Sequence, residues 1–252
     1  MNVTKSFRSA MRKSLLLIRN QLLRPLTHLV GKGPFSSVAL DYLDLQLVTL
    51  MGRRRGGVFV EAGANDGISQ SNTYYLEKVL GWSGVLVEPM PELASLCRKR
   101  RRGARVVNAA LVRENYPNPT VKLERAGLMS VINDGVLQAS AVEDHVRQGR
   151  DVQRLDEQAA VEVPARTLQQ ILTDANISHV DFLSLDVEGY ELEVLKGIAF
   201  DQTTFDWILV EVRPSNEQQI DALLGNHGYV WERIWRTPSY ANKIYRRANQ
   251  SN

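Results

Sequence analysis

The segment Glu61-Ala62-Gly63-Ala64-Asn65-Asp66-Gly67 sets two acids, two glycines and an asparagine close together. Gly63 and Gly67 let the backbone turn tightly and approach a ligand, and Asn65 and Asp66 suit the turn between them. Glu88 follows further on, directly before Pro89, where a carboxylate can accept both ribose hydroxyls of an adenosine. The apolar run from Phe182 ends at Asp186, with Glu188 two positions later, and another run ends at Glu211-Val212-Arg213. Charge selects among adenosine ligands. A pyrophosphate seeks backbone amides free of acids, and Glu61 and Asp66 would repel it while favouring an ammonium and a sulfonium. The expected ligand is therefore S-adenosylmethionine rather than a dinucleotide or nucleoside triphosphate. The glycine spacing also fails the dinucleotide fingerprint, and no Walker-type Gly-Lys-Ser/Thr occurs.

Parallel strands ending in a ligand crevice would position these residues. Val58–Ala62, Val85–Glu88, Val106–Ala110, Phe182–Asp186 and Ile208–Val212 are short, rich in aliphatic residues and bounded by Gly, Pro or acids, which predicts buried strands. Helical patterns lie between them, at about Gln70–Leu80, Pro91–Arg102, Thr167–Asp174, Leu192–Lys196 and Asn216–His227. This alternation predicts an α/β fold with a mostly parallel sheet and helices on both faces. In such a sheet Asp186 and Glu188 fall beside the crevice at the carboxyl ends of the strands. Residues 113–160 break the pattern: Pro117 and Pro119 precede a strand at Val121–Glu124, then come Gly127–Gly135 and a polar helical stretch near Glu143–Gln158. We read them as an insertion that shapes a substrate pocket. Tyr229–Trp235 and Lys243–Arg246 read as a closing antiparallel pair.

The chain is 252 residues long with 44% hydrophobic side chains and a net charge of +3. That suits one catalytic domain, expected over 41–252, with a basic extension over 1–40. The extension contains Lys5, Arg8, Arg12, Lys13, Arg19, Arg24 and Lys32 and no acid, so the remaining chain is net acidic. A body of that charge gives no reason to expect nucleic-acid binding. The apolar positions between Leu15 and Val30 are interrupted by Arg19, Arg24 and Pro25, too broken to span a bilayer. They permit an amphipathic helix, with peripheral membrane contact through residues 1–32 set against packing on the protein's own body. The acid-free start also fits an organellar presequence. The single cysteine, Cys97, excludes an internal disulfide and fits a reducing, cytoplasmic setting.

Five segments in order resemble the FkbM family of methyltransferases: Glu61–Gly67; Ser71-Asn72-Thr73 with Tyr75-Leu76-Glu77; Gly81-Trp82 with Gly84 and Glu88-Pro89; Asn108-Ala109-Ala110-Leu111; and Phe182–Gly197. The resemblance runs from about Phe59 to Arg213. It implies a class I methyltransferase (Rossmann-like) fold, a doubly wound, mostly parallel seven-stranded sheet with helices on both faces. It implies S-adenosylmethionine as donor and a hydroxyl oxygen as acceptor, on a sugar, glycan or natural product. Carried onto this chain, Glu61, Gly63 and Asn65 would line the methionine end, Glu88 the ribose, and Asn108 and Ala109 the adenine region. Asp186 would face the methionine or the acceptor, and Gly67 and Asn72 complete the cofactor-binding set. Transfer to an alcohol also requires a base, for which Asp186, Glu188 and Glu211 are the candidates. These three acids could instead hold Mg²⁺, a less favoured reading, and no residue is assigned to a metal.

Simpler readings apply elsewhere. His145, His179 and His227 read as solvated, Glu193 as helix-dipole charge, and Arg98–Arg102 as charge complementing a helix C-terminus. Arg213 is expected to pair with a strand-end acid. Trp82, Trp231 and Trp235 are expected to pack in the core, with a sugar-pocket wall as the alternative for the last two. The rival functions are a nicotinamide-dependent oxidoreductase, a non-catalytic membrane-associated protein on the same fold, and a nucleic-acid methyltransferase. The last lacks an Asn-Pro-Pro-Tyr or Asp-Pro-Pro-Tyr type motif.

Overall fold

Strands β1 (Val58–Ala62), β2 (Ser83–Val87) and β3 (Ala104–Val107) form the first half of the main sheet. The computed structural model describes residues 36–124, 131–132 and 160–248. Strand β4 (Ala110–Leu111) leaves that sheet for a smaller one, joined by β5 (Thr120–Glu124), β6 (Val131–Ile132) and β7 (Val161–Arg166). Strands β8 (His179–Leu185), β9 (Thr204–Val212), β10 (Tyr229–Arg236) and β11 (Ala241–Arg247) complete the main sheet in the order β10-β11-β9-β8-β1-β2-β3. The five strands from β9 to β3 are parallel, and β11 and β10 add an antiparallel edge.

The central strands are nearly continuous aliphatic runs because both faces are covered. Val60, Ala62, Val85, Val87, Leu183, Leu185, Ile208 and Val210 are all buried, and so are Phe59, Leu86, Phe182 and Leu209 on the alternate positions. Strand order reverses between β1 and β8. In a doubly wound sheet such a reversal is where a crevice opens at the carboxyl ends of the strands. This is the doubly wound class I methyltransferase architecture that the sequence implies.

The residues group into two compact units, one comprising 57–68 with 83–248 and the other 36–56 with 69–82. The larger holds both sheets and the helices α3 (Pro91–Arg100), α4 (Leu168–Asp174), α5 (Glu191–Leu195) and α6 (Glu217–Asn226). The smaller holds α1 (Leu43–Leu50) and α2 (Tyr74–Leu80). Helix α4 starts at a reciprocal cap: Thr167 Oγ1 accepts the Gln170 N–H, and the Gln170 side chain accepts the Thr167 N–H. In the smaller unit α2 ends where Gly81 takes a left-handed φ of 69°, and the buried Trp82 indole donates to the Arg54 carbonyl at 2.8 Å.

Several sequence expectations change. The run Val106–Ala110 is two elements, since Asn108 and Ala109 fall between β3 and β4 in different sheets. Helix α2 begins at Tyr74 rather than Gln70, whose φ is 63°. Strand β7 has no counterpart among the expected strands; it contains Pro164, and Ala165 donates to the Pro119 carbonyl at 2.9 Å. Trp231 is 59% exposed on the edge strand β10, not packed in the core. Residues 1–35 of the basic extension, His145 and the helical stretch near Glu143–Gln158 lie outside the described residues. No helix among the described residues is long and apolar enough to cross a membrane.

Candidate active site

Beyond Ala62 the chain turns under the end of β2, and the N–H groups of Gly63 and Ala64 both donate to the Val87 carbonyl, at 3.0 and 3.1 Å. Gly63 has a φ of 83°, and a Cβ there would stand 1.8 Å from the Asp186 carbonyl oxygen. A side chain would therefore push the ends of β1 and β8 apart. The exposed Gly63 backbone lies at the crevice. Asn65 takes a φ of 50° and donates its N–H to Glu88 Oε2 at 2.7 Å, while Met90 N–H donates to Glu88 Oε1 at 2.9 Å. Burial pushes the Glu88 pKa up to about 7 against these two bonds.

The basic run ending α3 is more than dipole compensation. Arg101 is fully buried, donates to the Gly67 carbonyl at 3.0 Å and stands 3.5 Å from Glu61 Oε2. Its guanidinium lies 5.4 Å from the Phe59 ring centre. Arg100 reaches the Asp66 carboxylate at 2.6 Å and the Asp66 carbonyl at 3.1 Å. Both loop acids thus have arginine neighbours, which weakens the charge argument against a phosphate ligand. Cys97 donates to the Asn65 carbonyl at 2.9 Å, and burial, with Glu88 and Glu61, pushes its thiol up to about 12. It is a protonated brace for the loop, not a nucleophile. Asn108, expected at the adenine, spends its amide on the Glu88 and Pro89 carbonyls at 2.9 and 2.7 Å, and Ala109 is fully buried.

Across the switch point, Asp186 N–H donates to the Ala62 carbonyl at 3.2 Å. The chain then turns through Glu188 and Gly189, with φ of 60° and 99°. Buried Glu191 holds this turn, its Oε1 accepting the N–H groups of Val187 and Gly189 at 3.0 and 2.9 Å. Arg213 pairs with Glu188 at 3.1 Å, as expected of it. Burial raises the Asp186 pKa well above the ordinary range, and Glu211, Glu188 and Glu191 raise it further, with Arg213 opposing. Solvent reaches this side chain, so the surrounding carboxylates are the firmer cause. Glu211 is pushed up to about 8, first by burial and then by Glu188 and Glu191.

Glu61, Gly63, Asn65, Gly67, Glu88, Asn108, Ala109, Asp186, Glu188 and Glu211 thus all belong to the larger unit, and the loop, Glu88 and Asp186 meet at the carboxyl edge of the sheet. Asn72 is half-buried in the smaller unit, between Ser71 and the start of α2. Residues 61–231 match the sequence model of a family described as the methyltransferase FkbM domain. The chain belongs to the FkbM methyltransferase family. The match takes in both halves of the crevice, and S-adenosylmethionine is the cofactor.

Solved structures of methyltransferases are similar to this FkbM-family chain. The METTL16 methyltransferase domain is 12% identical with a TM-score of 0.50, over 93% of this chain and 77% of that one. An S-adenosylmethionine-dependent methyltransferase from Aquifex aeolicus is 11% identical, TM-score 0.43, over 88% and 97% of the two chains. Aeropyrum pernix fibrillarin with bound S-adenosylmethionine is 12% identical, TM-score 0.43, over 80% and 73%. No curated protein sequence matched. Sequence reasoning missed the arginine contacts of the loop and the turn-holding role of Glu191. The signal for Arg101 was a cation immediately after the apolar face of α3, in a run easily taken for solvated charge.

Proposed function

We propose that the chain transfers the methyl group of S-adenosylmethionine to a hydroxyl oxygen of a small molecule, either a sugar or glycan unit or a natural-product scaffold. The observation that carries this reading is the set Asp186 and Glu211 beside the Glu188–Arg213 pair, in which Asp186 and Glu211 are carboxylates of raised basicity and Asp186 adjoins the glycine loop. The residues fit the cofactor. Gly63 lets the ends of β1 and β8 close on each other while its own backbone stays exposed at the crevice, and Glu88 stands buried at the end of β2. Each Glu88 oxygen already accepts one backbone N–H and retains a lone pair for a ribose hydroxyl.

S-adenosylmethionine supplies a methyl carbon activated by positive sulfur. Glu61 and the exposed Gly63 would hold the methionine portion, and Glu88 would fix the ribose. Holding donor and acceptor in line and excluding water contributes most of the acceleration. Glu211 or Asp186, whichever is ionised, accepts the proton of the attacking hydroxyl, since a base in reach of that proton is worth about 10²–10⁴-fold. Arg213 steadies the resulting shared charge through Glu188. The test is release of S-adenosylhomocysteine on incubation with hydroxylated acceptors, first saccharides and then polyketide-like alcohols. Turnover with an alcohol, lost in Glu211→Gln and Asp186→Asn, supports the reading; turnover only with amines or nucleic acid overturns it.

A further inference from the structure

At the opposite end of the sheet, the first residues of β8 and β9 form a polar cluster on strands otherwise made of core. His179 pairs in register with Thr204 and Val180 with Phe205, and the pairing resumes at Phe182 with Trp207, so Asp181 lies alongside Asp206. Alternation along a strand then puts His179, Asp181, Thr204 and Asp206 on one face. His179 Nε2 stands 3.7 Å from Asp181 Oδ1 and 3.5 Å from Asp206 Oδ2, and one ligand atom from each of the three residues lies within 4.8 Å of the others.

Those separations discriminate between two arrangements. A charged hydrogen bond between imidazolium and carboxylate closes to about 2.7–2.9 Å. Two donors bound at about 2.1 Å to one tetrahedral ion stand about 3.4 Å apart. The two histidine–carboxylate spacings are nearer the second. The outer contacts match it too: Thr204 Oγ1 lies 3.0 Å from His179 Nδ1, and the Val58 N–H donates to Asp181 Oδ2 at 2.7 Å. An Nδ1–H held by the hydroxyl leaves the Nε2 lone pair for a metal, and the backbone amide fixes the buried carboxylate with its other oxygen turned to the same point.

We infer that His179, Asp181 and Asp206 bind one divalent transition-metal ion, Zn²⁺ by the borderline character of an imidazole and two carboxylates, with water in the remaining position. No residue of this cluster was expected to bind a metal. The ion would join β8 to β9 directly and to β1 through the Asp181–Val58 bond. A strand's length, roughly 20 Å, separates it from Asp186, so it is structural and takes no part in methyl transfer.

The experiment is calorimetric titration of the chelator-treated full chain with Zn²⁺, with Mg²⁺ as control, followed by Co²⁺ absorption and thermal unfolding. One Zn²⁺ per chain, a rise in Tm and the intense visible bands of tetrahedral Co²⁺ are expected. His179→Gln and Asp206→Asn should each lower the affinity by more than tenfold, and Thr204→Val by about tenfold. Unfolding in metal-free buffer checks that each variant is folded. Absence of Zn²⁺ binding, or binding that survives both ligand substitutions, overturns the site. Binding of S-adenosylhomocysteine to the metal-free protein should be unchanged, and its loss would overturn the assignment of a purely structural ion.

Discussion

The two halves of the crevice hold their acids in different ways. Between β1 and β2 each acid has its own neighbour: Asp66 has Arg100, Glu61 has Arg101, and Glu88 has the N–H groups of Asn65 and Met90. Beyond β8 and β9, Glu188 and Glu191 act on the charge of both Asp186 and Glu211, and Glu211 on that of Asp186, while Arg213 offsets it. The first arrangement fixes geometry, because each hydrogen bond or ion pair holds one loop atom in place. The second leaves protonation adjustable near neutral pH, because adding one negative charge there raises the cost of the next. A cradle for the cofactor and a reservoir for the acceptor's proton need those two properties respectively.

The largest effects should come from the shared cluster. Glu211→Gln and Asp186→Asn are each expected to lower methyl transfer by about 10²–10⁴-fold with little change in cofactor affinity, measured as turnover against S-adenosylhomocysteine binding. In the unsubstituted chain the base must lose its proton before it works, so the rate should climb with pH along a limb near 8, the value for Glu211 as part of the set. Loss of cofactor binding in these variants would place the acids in the cradle and break the division.

Arg101→Met tests the other half and should act on the folded state. Removing a fully buried cation leaves Glu61 and the Gly67 carbonyl without it, at a cost of about 3–5 kcal/mol in denaturant unfolding. Arg101→Lys should recover part of the loss. Glu88→Ala should weaken binding of S-adenosylmethionine and S-adenosylhomocysteine by about 1–3 kcal/mol by calorimetry, with NAD not binding either protein.

Glu88 also gives a sign to the pH dependence of stability. Its pKa rises from 4.5 to about 7 on folding, so between those values the native state holds the extra proton. Stability from this group is present below about 4.5 and is lost as pH rises through about 7, by at most about 3 kcal/mol. Glu88→Gln should flatten that part of the unfolding curve. The smallest effect belongs to Asp66→Asn. Its pair with Arg100 is partly exposed, with side chains 22% and 36% accessible, so the variant should lose no more than about 1 kcal/mol.

Residue type alone carried much of this arrangement. Val58–Ala62 and the glycines after it could be read as a strand and a turn, because aliphatic β-branched runs and glycine act locally. Glu88 before Pro89 and Asp186 after Leu185 stood out as acids ending buried runs. Local patterns failed where a distant partner decides the outcome. Val106–Ala110 reads as one strand, yet the Asn108 amide is bound to the Glu88 and Pro89 carbonyls and the chain passes into a second sheet. Strand β7, for which no strand was expected, pairs with Thr120–Leu123, about forty residues earlier.

By itself the sequence determined the alternation of strands and helices, the place of the glycine turn and the acids that end the strands. Hydrophobic periodicity and backbone sterics are properties of neighbouring residues, and the family match rests on the same segments. Only the tertiary structure decided which acids are neutralised and which crowd one another, since that depends on the burial of Arg101 and the convergence of β8 with β9. It likewise set His179 between Asp181 and Asp206, because parallel register brings together residues some twenty-five positions apart in the chain.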